Sequence, residues 1–277
     1  MKKAGYCRET KDEIRKKIEK LPDITARDLC VVVGLLIART LAPNKEKLQN
    51  HWKTTDQGAV SRGNFGRFMS RDRFAHVSRN MHFSCNADPR AALDRAWKLR
   101  PVIESLQKRF KVGYIPPPIM AFDEAMLPSR SSFNRMRVYM KDKPHKWGTK
   151  LFMLNCSSTA YCIRFEPYLG KRSTIQGQES LDSKTGPAAV ARNLHHVFGE
   201  TNPQDMRLIV MDRYYTSVPL AMHLLSRGFY SIGTVVTRRL GLCKAVVEKK
   251  KKRPADIERG TFTFSESTLV ADMKMLH

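Results

Sequence analysis

The stretch IMAFDEAMLPSRSSFNRMRVYMKDKPHKWGTKLFMLNCSSTAYCIRFEPYLGK, residues 119–171, is the part around which the rest of the chain is arranged. It opens on the apolar run Ile119-Met120-Ala121-Phe122 and changes abruptly to a carboxylate pair, Asp123-Glu124. A polar segment follows that carries Arg130, Arg135, Arg137, Lys141, Lys143, Lys146 and Lys150. Two β-like runs come next, at 150–155 and 160–168. Carboxylates at a strand end beside a dense group of cations suit a hard metal ion and a phosphate backbone.

Working downstream, the pattern predicts a helix over 187–198, with Val190, Leu194 and Val197 on one face. Residues 206–212, MRLIVMD, read as a buried strand ending on Asp212. Ser217 caps a helix that begins near Pro219 and stops at Gly228, and 230–237 reads as a further strand. Hairpin-like strands followed by alternating units imply a mixed sheet with helices on its faces. That order matches an RNase H-like fold, although order alone also fits other α/β layers.

Upstream, residues 1–117 read as helical. Thr25 with Asp28 forms a capping-box pattern, and 29–41 is apolar on nearly every face, which predicts a buried helix closed by Pro43. Cys30 is expected in that core. Asn44 is expected to cap a short helix reaching Trp52, and Ser70 to cap one over 71–82 whose Phe74, Val77, Ser78 and Met81 share a face. Arg71, Arg73 and Arg79 lie on that helix as candidates for phosphate contact, although a solvated face is the more common reading. A last helix starts at Pro101, and Pro116-Pro117-Pro118 then sets the expected domain boundary.

At 277 residues the chain can bury a sizeable core, and Lys plus Arg (50) outnumber Asp plus Glu (26) for a net charge of +24. So large an excess repels itself and suits a polyanionic partner, with nucleic acid favoured over a membrane surface. No apolar run approaches the roughly 20 residues of a membrane span, and the charged N-terminus has no secretory core. The expectation is a soluble, intracellular protein. The six cysteines include no C-x-x-C pair, so no structural zinc is predicted. The basic run 249–253 is a candidate nuclear-import patch, and 261–264 and 268–276 look strand-like. The second of these reaches the last residues and is expected to lack a partner, which suggests a cut sequence.

Asp123 and Asp212 each follow an apolar run. Neighbouring strands would bring the two carboxylates to one edge, where ligands of α/β sheets gather. Taken singly, an Asp at a strand end is more often a turn cap. The segments DEAMLPSR, KPHKWGTKLF and EPYLGK, with MSRDRFAHVSRNMHF upstream and VMDRYYTSVPLAMHLL downstream, resemble piggyBac-type transposases and the proteins derived from them.

The resemblance implies an α/β fold: an RNase H-like mixed sheet, incomplete because its final helix is missing, preceded by an all-helical domain. It divides the chain into a helical dimerisation and DNA-binding domain (1–117), a catalytic core (118–238) and the start of an insertion domain (239–277). It implies that Asp123, of the Asp-Glu motif, and Asp212, of Asp212-Arg213-Tyr214-Tyr215-Thr216-Ser217, are the first two ligands of Mg²⁺ or Mn²⁺. It assigns Glu124 no metal role. The family's third ligand belongs to a KGGVD-like motif that this sequence does not contain, and Asp256 and Asp272 lack its context.

The function implied is a DDE-type transposase core that binds transposon-end duplex DNA. The DNA-binding candidates are Arg130, Arg135, Arg137, Lys141, Lys143 and Lys146. The chain is expected to be nuclear, to form a homodimer, and not to cut DNA on its own. The other reading is a non-catalytic, transposon-derived DNA-binding protein.

Overall fold

The computed structural model describes residues 10–42, 47–54, 56–57, 60–61, 63–85, 87–170, 186–200, 205–247, 254–255, 257–268 and 274–276. Pro43, Asn44, the basic run 249–253, Asp256 and Asp272 lie outside them. The chain divides into two compact units at His82/Phe83. Among the described residues, no helix is long and apolar enough to cross a membrane.

The first unit holds α1 (Lys11–Glu19), α2 (Ala26–Leu41), the short pair β1 (Asp56–Gln57) and β2 (Val60–Ser61), and α3 (Arg71–Asn80). Its core is Val32 and Leu35 from α2 with Phe65, Met69, Phe74 and Val77. The caps follow the sequence pattern. Asp28 N–H donates to Thr25 Oγ1 while Asp28 accepts from Thr25 N–H, and Ser70 Oγ accepts from Arg73 N–H.

Five expectations are corrected here. α2 is not buried all round: Val33, Leu36, Ile37 and Leu41 are exposed, and so is Cys30. The reason is that α3 and its neighbouring turns cover a single stripe of α2, whereas a run that is apolar everywhere contains no information about which stripe is covered. Residues 48–52 form one 3-10 turn rather than an α-helix, and Ser78 on α3 is exposed. Arg73 does not face outward to phosphate. Its guanidinium donates to Asp28 Oδ2 at 2.7 Å and to the Pro22 carbonyl at 2.6 Å, tying the entry of α2 to α3.

The second unit begins before the triple proline. α4 (Arg100–Gly113) precedes β3 (Ile119–Pro128), β4 (Arg137–Tyr139), β5 (Trp147–Cys156), β6 (Cys162–Pro167), α5 (Gly186–Phe198), β7 (Arg207–Met211), α6 (Val218–Leu225) and β8 (Phe229–Gly233). A small hairpin of β9 (Phe264–Glu266) and β10 (Lys274–Leu276) follows. The last strand therefore has a partner, contrary to expectation. The boundary expected near residue 117 is displaced because α4 packs on β6: Gln107 Nε2 donates to the Phe165 carbonyl at 2.6 Å, and the Phe110 ring meets Phe165.

The sheet runs β4-β5-β3-β7-β8, with β6 also on β5. β5 is antiparallel to both of its neighbours β3 and β6, and β7 and β8 continue the sheet in parallel with β3. β4 and β6 lie end to end along one side of β5, pairing with 147–149 and 151–155 respectively. Met120, Phe122, Phe152, Leu154, Ile163, Ile209, Met211 and Phe229 form the sheet's share of the core, closed by Ala189, Val190 and Leu194 of α5 and by Leu220 and Leu224 of α6.

Two strand expectations change. β3 does not stop at Asp123 but runs on to Pro128, because β5 pairs with it as far as Gly148. Within the expected cationic loop, Arg137 to Tyr139 forms the edge strand β4.

Candidate functional site

Asp123 and Asp212 each follow the last pair of the parallel ladder. Phe122 is aligned with Met211, the last pair between β3 and β7, and each aspartate is the next residue on its own strand. Asp212 is the first residue after β7, whereas Asp123 sits inside β3, at the point where its pairing with β7 has ended and β5 alone continues. Both residues are exposed. Asp123 Oδ1 accepts the Glu124 N–H at 2.7 Å, and Asp212 Oδ1 accepts the Tyr214 N–H at 2.8 Å. The Asp212 carbonyl takes the Thr216 hydroxyl at 2.7 Å, so this residue also caps its own turn.

The turn after Asp212 is held from several sides. Tyr215 is wholly buried, with its ring against Phe122 at 5.1 Å and Phe152 at 6.2 Å. Arg239 reaches back with both guanidinium nitrogens, to the Thr216 and Tyr214 carbonyls at 2.7 Å each. A Cβ on Gly233 would collide with Thr216 Oγ1 and the Met211 carbonyl, so β8 can approach the turn this closely only with glycine at that position.

Electrostatics separate the adjacent carboxylates. Desolvation raises the Asp123 carboxyl above its usual range, and the like charges of Glu124 and Asp212 push it further the same way. Burial would also raise Glu124, but the Tyr215 hydroxyl bond at 2.9 Å and the ammonium groups of Lys150 and Lys143 outweigh it and hold Glu124 low. Lys143 lies 3.2 Å and Lys150 3.9 Å from the Glu124 oxygens. Lys150 is itself lowered by burial, and its ammonium sits over the rings of Tyr214 and Phe152. Burial, then the Glu124 charge, pushes the Tyr215 phenol up, so it remains a donor.

The six basic candidates divide into two groups. Arg130, Arg135, Lys141 and Lys146 are exposed and have no carboxylate partner among the described residues. Lys143 is committed to Glu124, and Arg137 donates to the Arg130 carbonyl at 2.8 Å with its guanidinium 4.5 Å from the Trp147 ring centroid. Trp147 packs on Tyr139 and remains partly exposed.

The sequence reading missed the role of Glu124 and the tie from Arg239. A signal for Glu124 was present: on a strand it shares a face with Phe122, the core residue two positions earlier, while Asp123 points the other way.

Among the described residues, no group of three or more His, Cys, Asp or Glu side chains could hold a metal ion. Asp123 and Asp212 alone fit a hard divalent cation of the Mg²⁺ or Mn²⁺ kind. Mg²⁺ commonly takes one or two carboxylates and completes its shell with water and phosphate. Desolvation first, and then the charges of Glu124 and Asp212, raise the Asp123 carboxyl, and a bound cation would favour its charged form.

Comparison with known proteins gives the class of molecule that carries this site. The family model described as Transposase IS4 matches residues 7–276. The chain belongs to that family, in its piggyBac-type branch. It is 31% identical over 204 residues to the human PiggyBac transposable element-derived protein 3, spanning 71% of this chain and 31% of that protein. It is 25% identical over 249 residues to the human PiggyBac transposable element-derived protein 2, spanning 87% of this chain and 38% of that protein.

Among solved structures, the piggyBac transposase synaptic complex with hairpin DNA, determined by cryo-EM, superposes with a TM-score of 0.70 at 25% identity. The match covers 89% of this chain and 48% of that transposase chain. The chain thus spans less than half the length of each of these relatives.

Proposed function

We propose that residues 119–238 are an RNase H-like core that binds duplex DNA through phosphates and one divalent ion through Asp123 and Asp212. The observation that carries this reading is the Phe122/Met211 register, which makes the two aspartates neighbours at the end of a parallel ladder. The strand order β6-β5-β3-β7-β8, three antiparallel strands followed by two parallel ones, supports the fold assignment. A divalent ion at this position supplies Lewis-acid polarisation of a phosphodiester oxygen and of an attacking water.

The net charge of +24 and the exposed side chains of Arg130, Arg135, Lys141 and Lys146 support a DNA partner, and transposon ends are the substrate class suggested by family membership. A nuclear location follows from such a partner, and the first unit would add DNA-binding or dimerisation surface. Two-metal phosphoryl transfer needs further carboxylate to hold and space the second ion. In this reading the 277-residue protein binds DNA without cutting it.

The test is a nicking assay on transposon-end duplex with Mg²⁺ or Mn²⁺, run beside a binding assay on the same DNA. Salt-sensitive binding without nicking is the expected result. Nicking that is abolished by Asp123→Asn or Asp212→Asn would overturn the assignment of inactivity, and absence of any DNA binding would overturn the whole reading.

A further inference from the structure

We propose that Glu124 is a positioning residue, which ties the Asp212 turn and the basic loop to β3 and so sets where Asp212 stands relative to Asp123. The inference rests on the metal reading of the two aspartates. Strand geometry removes Glu124 from their side, since successive residues of β3 face opposite ways. Its oxygens are already engaged: Oε2 accepts the Tyr215 hydroxyl at 2.9 Å, and Oε1 faces Lys143 Nζ at 3.2 Å. The Glu124 side chain is only 13% exposed.

Tyr215 lies three residues beyond Asp212 and is clamped between Phe122 and Phe152. Its backbone N–H bonds the Asp212 carbonyl at 3.2 Å. Were the turn to swing, the phenol would have to leave a buried carboxylate and Glu124 would lose a charge-assisted bond, a costly exchange away from water. Lys143 comes from the loop between β4 and β5, which also carries the exposed Lys141 and Lys146. One carboxylate therefore links the turn carrying a proposed metal ligand to the loop carrying Lys141 and Lys146. Partners of this kind commonly change metal affinity by about 10–100-fold when removed.

Two readouts on the 277-residue protein test it: hydrogen exchange at the amides of Tyr214, Tyr215 and Thr216 without metal, and Mn²⁺ affinity by electron paramagnetic resonance. Tyr215→Phe and Glu124→Ala should each speed exchange in this turn about 10-fold, as expected for one lost hydrogen bond. Both should weaken Mn²⁺ binding about 10-fold or more. Glu124→Gln, whose amide oxygen still accepts the phenol, should restore most of both. Asp123→Asn should abolish Mn²⁺ binding and leave exchange in the turn unchanged.

Wild-type exchange in Tyr215→Phe would overturn the anchor whatever the metal does. Wild-type Mn²⁺ affinity in Tyr215→Phe, with Glu124→Gln as damaging as Asp123→Asn, would make Glu124 a ligand and overturn the positioning role. An unmutated protein that binds no Mn²⁺ would overturn the metal reading and with it the positioning role, while faster exchange in Tyr215→Phe would still establish the anchor.

Discussion

Phe122 and Met211 are the last aligned pair of the parallel β3/β7 ladder, and both side chains are buried in the sheet's core. Strands in a ladder lie about 4.8 Å apart, so the next residue on each begins from a shared edge. Those residues are Asp123 and Asp212. Their neighbourhood is imposed by apolar packing one step earlier, and keeping Asp123 charged there has a cost, first from desolvation and then from the like charges of Glu124 and Asp212.

That cost predicts a gain from neutralising Asp123. A carboxyl raised in the folded state keeps its proton to higher pH than in the unfolded chain. Its contribution to stability therefore falls as pH rises from the ordinary carboxylate value, about 3.9, through the raised folded value. Asp123→Asn should melt higher than the natural protein at neutral pH and show no such gain at pH 3. Adding Mn²⁺ at about 100 times its dissociation constant should stabilise the natural protein by about 2.7 kcal/mol and leave the variant unmoved. Thermal melts at both pH values, with and without the ion, check each part.

The basic residues should separate by role. Replacing Arg130, Arg135, Lys141 and Lys146 together by Ala should lower DNA affinity for all sequences alike. It should also flatten the slope of log affinity against log salt by about 3.6, if each contacts one phosphate. Arg137→Ala should act mainly on stability, because its guanidinium is held by the Arg130 carbonyl and the Trp147 ring. Binding titrations at several salt concentrations, paired with melts, distinguish the two classes.

In the first unit, the Arg73 guanidinium and then the Thr25 backbone N–H hold the Asp28 carboxyl well below its usual range. A depressed folded value gives stability that is present above the unfolded carboxylate value and lost as pH falls through the folded one. Asp28→Asn should remove that part of the acid sensitivity and destabilise the unit at neutral pH. Circular dichroism during acid titration of both proteins checks it.

Gly233→Ala should destabilise the second unit by about 1–3 kcal/mol, the usual cost of forcing extra volume into a packed place. The new methyl meets the Met211 carbonyl and Thr216, so the loss should be accompanied by altered exchange in the Asp212 turn. A Gly233→Ala protein as stable as the natural one would contradict the close approach of β8.

What residues decide locally was legible in the sequence. Ser70, Ser217 and the Thr25/Asp28 box cap helices because a short side-chain oxygen reaches backbone N–H groups within the same turn. The run over 206–212 read correctly as a strand, observed at Arg207–Met211, because a short apolar run bounded by turn residues requires no knowledge of its partner, but its full burial was not borne out, since Val210 is exposed. The approach of Asp123 to Asp212 could be anticipated from two such runs and the family resemblance.

Tertiary structure alone decided which surfaces were covered. The apolar pattern of α2 could not say that only Val32 and Leu35 would be buried, because a uniformly apolar helix fits a partner on any side. The length of β3 was set by β5, since strand continuation depends on a distant ladder and not on the residues after Asp123. α4 joined the sheet through Gln107 and Phe110, contacts with no local signature. Glu124 read as the second half of a carboxylate pair. Its role is set by Tyr215, a residue distant in sequence, and pairing across such a separation exists only once the sheet has formed.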